Sequence, residues 1–393
     1  MTTSITLWYT MLYNAYSHKL SKSRKDTLSY LNVMVVGSAG SGKTAFVRTF
    51  CETLKHDVIQ GSFKESKPMA LKDPLRPTDE LYTVSMHIEE NGQRTALTII
   101  DTPGFTTGYA VDHQLRYIAK YIDYQFERTL AEESKVKRDA KALDTHIHSC
   151  LYFIDIKNIQ AMSEADKYIL KMLSTRVNII PVIGKSDNLT VAQREQIKSV
   201  FRREIFDILQ IPIYGYIDID EEDTTSTHQQ PHQMNRMLSM LQECVEEDKD
   251  EDAGAMIDYL HSMPFTLVGY EEDPETGRPL NLANMTTNSS RLLDENEDMA
   301  SSPVTPSSRR TNSRMNSKQH VLGRRYPWAV VECCNPTHCD FSQLKNILLS
   351  THRDMLRLDT FERFYEQYRT EQLLNRKVKR MVRIDSKAGI PLV

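Results

Sequence analysis

Residues 37–44 read Gly37-Ser38-Ala39-Gly40-Ser41-Gly42-Lys43-Thr44 and fit the spacing GxxxxGK[ST]. Glycines in such a turn let the backbone approach phosphates and aim successive N–H groups at them. Lys43 supplies a point charge to the β and γ phosphates, the Thr44 hydroxyl is a Mg2+ ligand, and Ala45 continues the cradle. Downstream lies Asp101-Thr102-Pro103-Gly104. Asp101 stands where a carboxylate holds Mg2+ through water, and the Gly104 N–H can meet a γ-phosphate. Further on comes Gly184-Lys185-Ser186-Asp187. Guanine presents an N1–H and an exocyclic amine side by side, and one carboxylate, here Asp187, accepts from both. The Lys185 stem can lie over the base plane. A glycine at the first position of this [NT]KxD-type element forgoes one side-chain hydrogen bond. Each motif also occurs as an ordinary turn, so their order along the chain carries the expectation of a site for GTP or GDP with Mg2+.

The flanking segments suit that role. Residues 31–36 (LNVMVV) form a short apolar run of the kind a buried parallel strand uses, and a helical segment follows over 44–55. Residues 82–88 alternate, Asn91-Gly92 offers a turn, and ALTII (96–100) supplies a second strand, so the pair reads as a hairpin. Helical periodicity covers 114–135, and further strand-type runs are 150–154, 177–183 and 211–217. Strands alternating with helices indicate an α/β sandwich with a mostly parallel sheet.

Composition narrows the function classes. The chain has 393 residues, 40% hydrophobic and 26% charged, with a formal net charge of -4, which argues against a general nucleic-acid binder. Its six cysteines show no CxxC pair and are read as reduced cytosolic thiols. The basic residues of the N-terminal stretch follow its aromatic ones, the reverse of a secretory signal, and no apolar run approaches the length of a membrane span. Residues 218–254 are acidic and polar, and 271–322 are rich in Ser, Asn, Thr and Pro. The second stretch cannot bury enough apolar surface to offset chain entropy and is expected to be disordered.

With these motifs in place the chain resembles the septins over most of residues 30–374. YIDYQFERTLAEES (121–134) is similar to the septin "YIDEQFE" helix, and VNIIPVIGKSDNLT (177–190) to "VNIIPVIAKADTLT", with Gly184 and Ser186 at the alanine positions. MPFTLVG (263–269) resembles the segment beneath the base, GRRYPWAVVECCNPTHCDFSQLK (323–345) the septin unique element, and THRDMLRLDTFERFYEQYR (351–369) its closing helix. The resemblance implies a P-loop NTPase fold, a Ras-like GTPase three-layer sandwich, with a C-terminal septin unique element. It divides the chain into an N-terminal arm with a basic segment (1–29), a septin-type G domain (30–270) with an acidic polar insert at about 218–254, a disordered insert (271–322), the unique element with closing helix (323–374) and a short basic tail (375–393).

The resemblance also implies residue roles. Gly269 and Arg324 match contacts to the guanine base, and Trp328 and His338 match residues packed at a nucleotide-side interface between subunits. The alternative for Trp328 is a core anchor in a hairpin, but its Tyr-Pro-Trp tripeptide next to Arg324 favours the interface, since Arg and Trp are enriched at contact hot spots. Lys19, Lys22, Arg24 and Lys25 are candidates for anionic lipid, with Arg376, Lys377, Lys379, Arg380 and Arg383 a second group. Glu221, Glu222 and Asp223 resemble an acidic region that faces a basic neighbour. Ser302-Pro303 and Thr305-Pro306 fit proline-directed phosphorylation.

The catalytic parts depart from the pattern. The switch threonine of hydrolysing septins falls on Thr78, with Thr83 as the fallback. DTPGFGD becomes DTPGFTTGY, so Thr106 and Thr107 replace a flexible Gly and an Asp. The stretch that should carry a cross-subunit histidine is IDIKNIQAM (154–162), whose nearest substitutes are Lys157 and Gln160. With Val393 as the last residue, lateral pairing through the C-terminal coiled coil that many septins use is not expected. The expected function is a GTP/GDP-binding subunit of hetero-oligomeric septin rods, filaments or rings. It would sit cytoplasmically at the cell cortex, bud neck, division site or forming spore membrane, as a scaffold in cytokinesis, septum formation or sporulation. Hydrolysis is weak or absent in this reading. The alternatives are a cycling switch GTPase and a capping regulator of filament length.

Overall fold

The computed structural model describes residues 28–66, 80–90, 92–106, 110–137, 143–155, 161–217, 233–273, 278–280, 282 and 321–388, without the side chains of residues 248, 380 and 382–388. The apolar run at the start of this range becomes β1 (Ser29–Gly37), the centre of a seven-stranded sheet. Leu31, Val33, Met34, Val35 and Val36 are all buried, because helices cover both faces of a parallel sheet. The other strands are β2 (Lys64–Glu65), β3 (Tyr82–Glu90), β4 (Gln93–Asp101), β5 (Ser149–Phe153), β6 (Ile179–Ile183) and β7 (Phe265–Thr266), in the order β2-β3-β4-β1-β5-β6-β7. From β4 to β7 the pairs are parallel, whereas β3 runs antiparallel to β4 as the expected hairpin.

The helices are α1 (Lys43–Leu54), α2 (Ala110–Glu133), α3 (Glu164–Leu173), α4 (Val191–Arg202), α5 (Gln233–Asp248) and α6 (Glu251–Ser262). A second sheet, β8 (Gly323–Arg325) with β9 (Val330–Glu332), follows as an antiparallel hairpin. α7 (Phe341–Asn346), α8 (Arg353–Asp359) and α9 (Glu366–Ala388) close the chain, joined by π-helical turns. Tyr368 of α9 packs against Phe126 of α2, with ring centroids 5.6 Å apart. Beyond that contact Leu373, Leu374, Val378 and Met381 are exposed, as are Arg376, Lys377 and Lys379.

Two expectations need correction. Residues 211–217 are not a strand. Pro212 has no N–H for a ladder, Gly215 takes φ 83°, and Ile213 bonds back to the Ile211 carbonyl, so the segment folds as irregular turns. It is still buried through Ile211, Ile213 and Tyr214, and β7 takes the place beside β6. The acidic stretch read as an interruption also contains α5, which buries Met237 and Leu241 and keeps its charges on the outer face. Thr78, Thr107, Lys157, Gln160, Lys19, Lys22, Arg24, Lys25, the acidic triplet at 221–223, Ser302 and Thr305 lie outside the described residues.

Candidate nucleotide site

β1 has β4 on one side and β5 on the other, so the chain leaves the sheet in opposite directions there. Ligands of open α/β sheets bind at such a switch point, outside the carboxyl ends of the strands. All three motifs converge on it: residues 37–44 follow β1, 101–104 end β4, and 184–187 follow β6. α1 starts after Gly42, which has φ 103° and no side-chain cap, so the first N–H groups of the helix face outward for an anion. Phe105 ties the motifs together: its carbonyl accepts from the Ala39 N–H at 2.9 Å, and its N–H donates to the Gly37 carbonyl at 3.1 Å.

Lys43 is buried beneath this loop. Its Nζ donates to the Gly37 and Ser38 carbonyls at 2.9 and 2.8 Å. Burial lowers its pKa to about 8, against the pull of Asp101 in the other direction. The Thr44 hydroxyl donates to Asp101 Oδ2 at 2.7 Å, which brings together the two expected Mg2+ ligands. Among the described residues no cluster of three or more His, Cys, Asp or Glu could hold a metal on its own. A Mg2+ here would therefore take Thr44, water held by Asp101, and oxygens of the nucleotide, the usual manner for a cation that keeps its waters. Gly104 lies beside Ala39, and its carbonyl accepts from Gln114 Nε2 of α2 at 3.3 Å. Gln114 Oε1 accepts from the Thr106 N–H at 3.1 Å, so one side chain clamps both ends of this turn. Nothing in the sequence pattern singled out Gln114.

The base end has a different construction. Gly184 is seated so closely that a Cβ there would lie 2.1 Å from the Ser41 carbonyl oxygen and 2.9 Å from the Phe153 ring, which accounts for the missing side chain in this motif. Lys185 follows in the left-handed region at φ 53° with its side chain exposed. The Asp187 side chain is only 1% exposed. Its Oδ2 accepts from Arg324 Nη1 at 3.4 Å and from the Tyr326 hydroxyl. Its Oδ1 is buried with no hydrogen-bond partner, as are Ser186 Oγ and Ser41 Oγ. Buried polar atoms are rarely left unpaired in a finished structure, so these three fit a polar ligand that is yet to arrive.

Arg324 is itself fixed by Nε donating to the Gly269 carbonyl at 3.0 Å, which joins the two expected base contacts. Ala45, Tyr270, Glu271, Glu272, Arg324 and Tyr326 line a cleft of about 260 Å³ beside them. Arg194 of α4 donates to the Ser186 carbonyl at 3.0 Å and to the His338 carbonyl at 2.7 Å, stapling the base loop to the segment after β9. His338 is half-buried, and its Nδ1 accepts from the Glu332 N–H at 3.0 Å. Trp328 is 80% exposed and stacks on Tyr326, with centroids 5.4 Å apart and planes at 18°. It is therefore no core anchor. Tyr326 went unnoticed in the sequence as a partner of Asp187. The available signal was its position two residues after Arg324, which puts both on the same side of an extended segment.

The comparisons with known proteins agree with one another. The family model described as Septin matches residues 29–276 and 288–381. The protein named Septin homolog spn3, from Schizosaccharomyces pombe, is 30% identical over 348 residues, covering 87% of this chain and 73% of that protein. Neuronal-specific septin-3 of Danio rerio is 30% identical over 357 residues, covering 90% and 78%. A crystal structure of a septin GTPase domain from Chlamydomonas reinhardtii is similar at a TM-score of 0.52 and 18% identity, over 88% of this chain and 99% of that one, a likeness of fold.

Proposed function

Because this chain belongs to the septin family, we propose that it is a guanine-nucleotide-binding subunit which assembles with other septins into hetero-oligomeric rods and filaments, and that the nucleotide serves chiefly to order a subunit interface. The observation that carries the reading is Asp187. Its carboxylate is buried, held on one oxygen by Arg324 and Tyr326, and open on the other. A carboxylate offering a free acceptor beside the Gly269 segment suits the paired donors of guanine. Lys43 and the N-terminus of α1 suit the phosphates, and Thr44 with Asp101 suits Mg2+.

Retention is favoured over turnover for two reasons. Switch II carries Thr106 where flexible glycine is usual, and Gln114 already clamps the turn on both sides of Phe105. Thr78 is the residue to test first as a switch threonine. Exposed Trp328, close in sequence to Arg324, supports a neighbouring subunit that packs over the nucleotide side, with His338 in the same element. The basic clusters suit a cytoplasmic scaffold at anionic membranes of the cortex or division site, including a forming spore membrane.

Co-expression with other septins and electron microscopy of the product test the assembly claim. Rods that contain this chain support it, and a chain that stays monomeric in every combination overturns it. Single-turnover hydrolysis with purified protein tests retention. A rate equal to that of hydrolysing septins restores the cycling switch reading.

A further inference from the structure

The hairpin β8–β9 reaches into the base site with one residue and out to solvent with another, and both are joined through a third. Arg324 and Tyr326 both donate to Asp187 Oδ2, although they lie 137 and 139 residues away in the chain. The Tyr326 ring lies stacked on exposed Trp328, and its N–H donates to the Ala329 carbonyl at 2.8 Å, closing the tip of the hairpin. Burial and the Asp187 charge both raise the Tyr326 pKa, which keeps the phenol protonated and able to donate. Tyr326 thus has its hydroxyl on the carboxylate and its face on the indole.

We propose that Tyr326 is a positioning residue that orients the Asp187 carboxylate for the base and transmits base occupancy to the exposed Trp328. The inference rests on the guanine-site reading above. A carboxylate held at Oδ2 by two donors cannot rotate, so Oδ1 stays aimed at the incoming base. Donors of the base then share the same negative charge and weaken its bond to the Tyr326 hydroxyl. The ring re-seats, and the indole stacked on it moves with it. The outer surface therefore differs between the filled and empty site. Arg324 alone cannot do this, because its Nε is anchored to the Gly269 carbonyl and its described link to the indole runs through Tyr326.

The chain has two tryptophans, Trp8 and Trp328, so the test uses the full chain with Trp8→Phe, stripped of nucleotide with EDTA and kept dilute. Tryptophan emission is followed while GDP is added, and GDP and IDP affinities are measured by calorimetry. IDP lacks the exocyclic amine that Asp187 reads. The expected result is a change in Trp328 emission that saturates with GDP binding and is lost in Tyr326→Phe, which keeps the ring and its stacking. Tyr326→Phe is also expected to weaken GDP about fivefold and to narrow the GDP/IDP preference by a similar factor, while an unchanged thermal melt shows that it folds. If Tyr326→Phe keeps both the emission change and the GDP/IDP ratio, this inference fails alone. If the unaltered chain binds no GDP, the base-site reading fails with it.

Discussion

Asp187→Asn is the substitution whose outcome follows most directly from the geometry. In the native site Oδ2 receives Arg324 Nη1 and the Tyr326 hydroxyl, while Oδ1 has no partner. An asparagine has one acceptor and one donor in their place. Two donors of the hairpin already claim the acceptor, so the amide oxygen takes the Oδ2 position and the NH2 group turns to the base. Guanine then meets a donor where it presents donors. The loss of a hydrogen bond to a charged group is worth about 1.5–3 kcal/mol, which weakens GDP about 10- to 150-fold. Xanthine carries an oxygen in place of the exocyclic amine and matches the turned amide, so XDP affinity rises. Displacement of a fluorescent GDP analogue by GDP and by XDP reads both numbers. A variant that binds GDP within threefold of the native chain and gains nothing for XDP refutes the assignment of Asp187 to the base.

Further expected outcomes concern Lys43, Gly184 and Trp328. Lys43 has its pKa lowered by burial to about 8, and phosphate favours its charged form, so the empty site must take up a proton to bind above that pH. GDP affinity is therefore level below pH 8 and falls as pH rises beyond it, by at most about tenfold per unit, as calorimetry from pH 7 to 9.5 would record. The nucleotide-free chain runs the other way: between about pH 8 and 10.5 the unfolded state binds more protons, so its stability rises with pH in chemical denaturation. Gly184→Ala would place a methyl group 2.1 Å from the Ser41 carbonyl; the loop must shift, with an expected cost of about 1–3 kcal/mol in thermal unfolding and weaker GDP binding. Trp328→Ala, at an exposed position, is expected to change the stability of the isolated chain by less than about 0.5 kcal/mol. The same variant should weaken association with a partner septin by about 2 kcal/mol or more in sedimentation, the scale of an interface hot spot.

Much of this molecule was legible in the residues because phosphate and base recognition fix residue type and spacing together. Lys43, Thr44, Asp101 and Asp187 could be placed in order before any fold was known, and the fold brings Thr44 to Asp101 as that order implied. The hairpin of β3 and β4 was legible from alternation and Asn91-Gly92. The missed parts depend on distance along the chain or on mixed patterns. The Tyr326–Asp187 bond joins residues that no local window contains. In α5 the apolar positions are diluted by charges that belong to its outer face, so composition hid its periodicity. Residues 211–217 are apolar because they are buried, yet Pro212 and Gly215 deny them a ladder, and the short β7 occupies the edge instead. Gly184 read as a lost hydrogen bond in the sequence, whereas its tight seat against Ser41 gives that glycine a steric reason.

The central claim is that a guanine nucleotide sits in this site as a retained part of the protein. The chain should be purified with its partner septins in native buffer, denatured, and the released nucleotide separated by chromatography, with an Asp187→Ala copy treated in parallel. Expected is guanine nucleotide lost from the Asp187→Ala sample in the amount this chain contributes. Equal guanine nucleotide in both samples, or adenine nucleotide in its place, would contradict the claim.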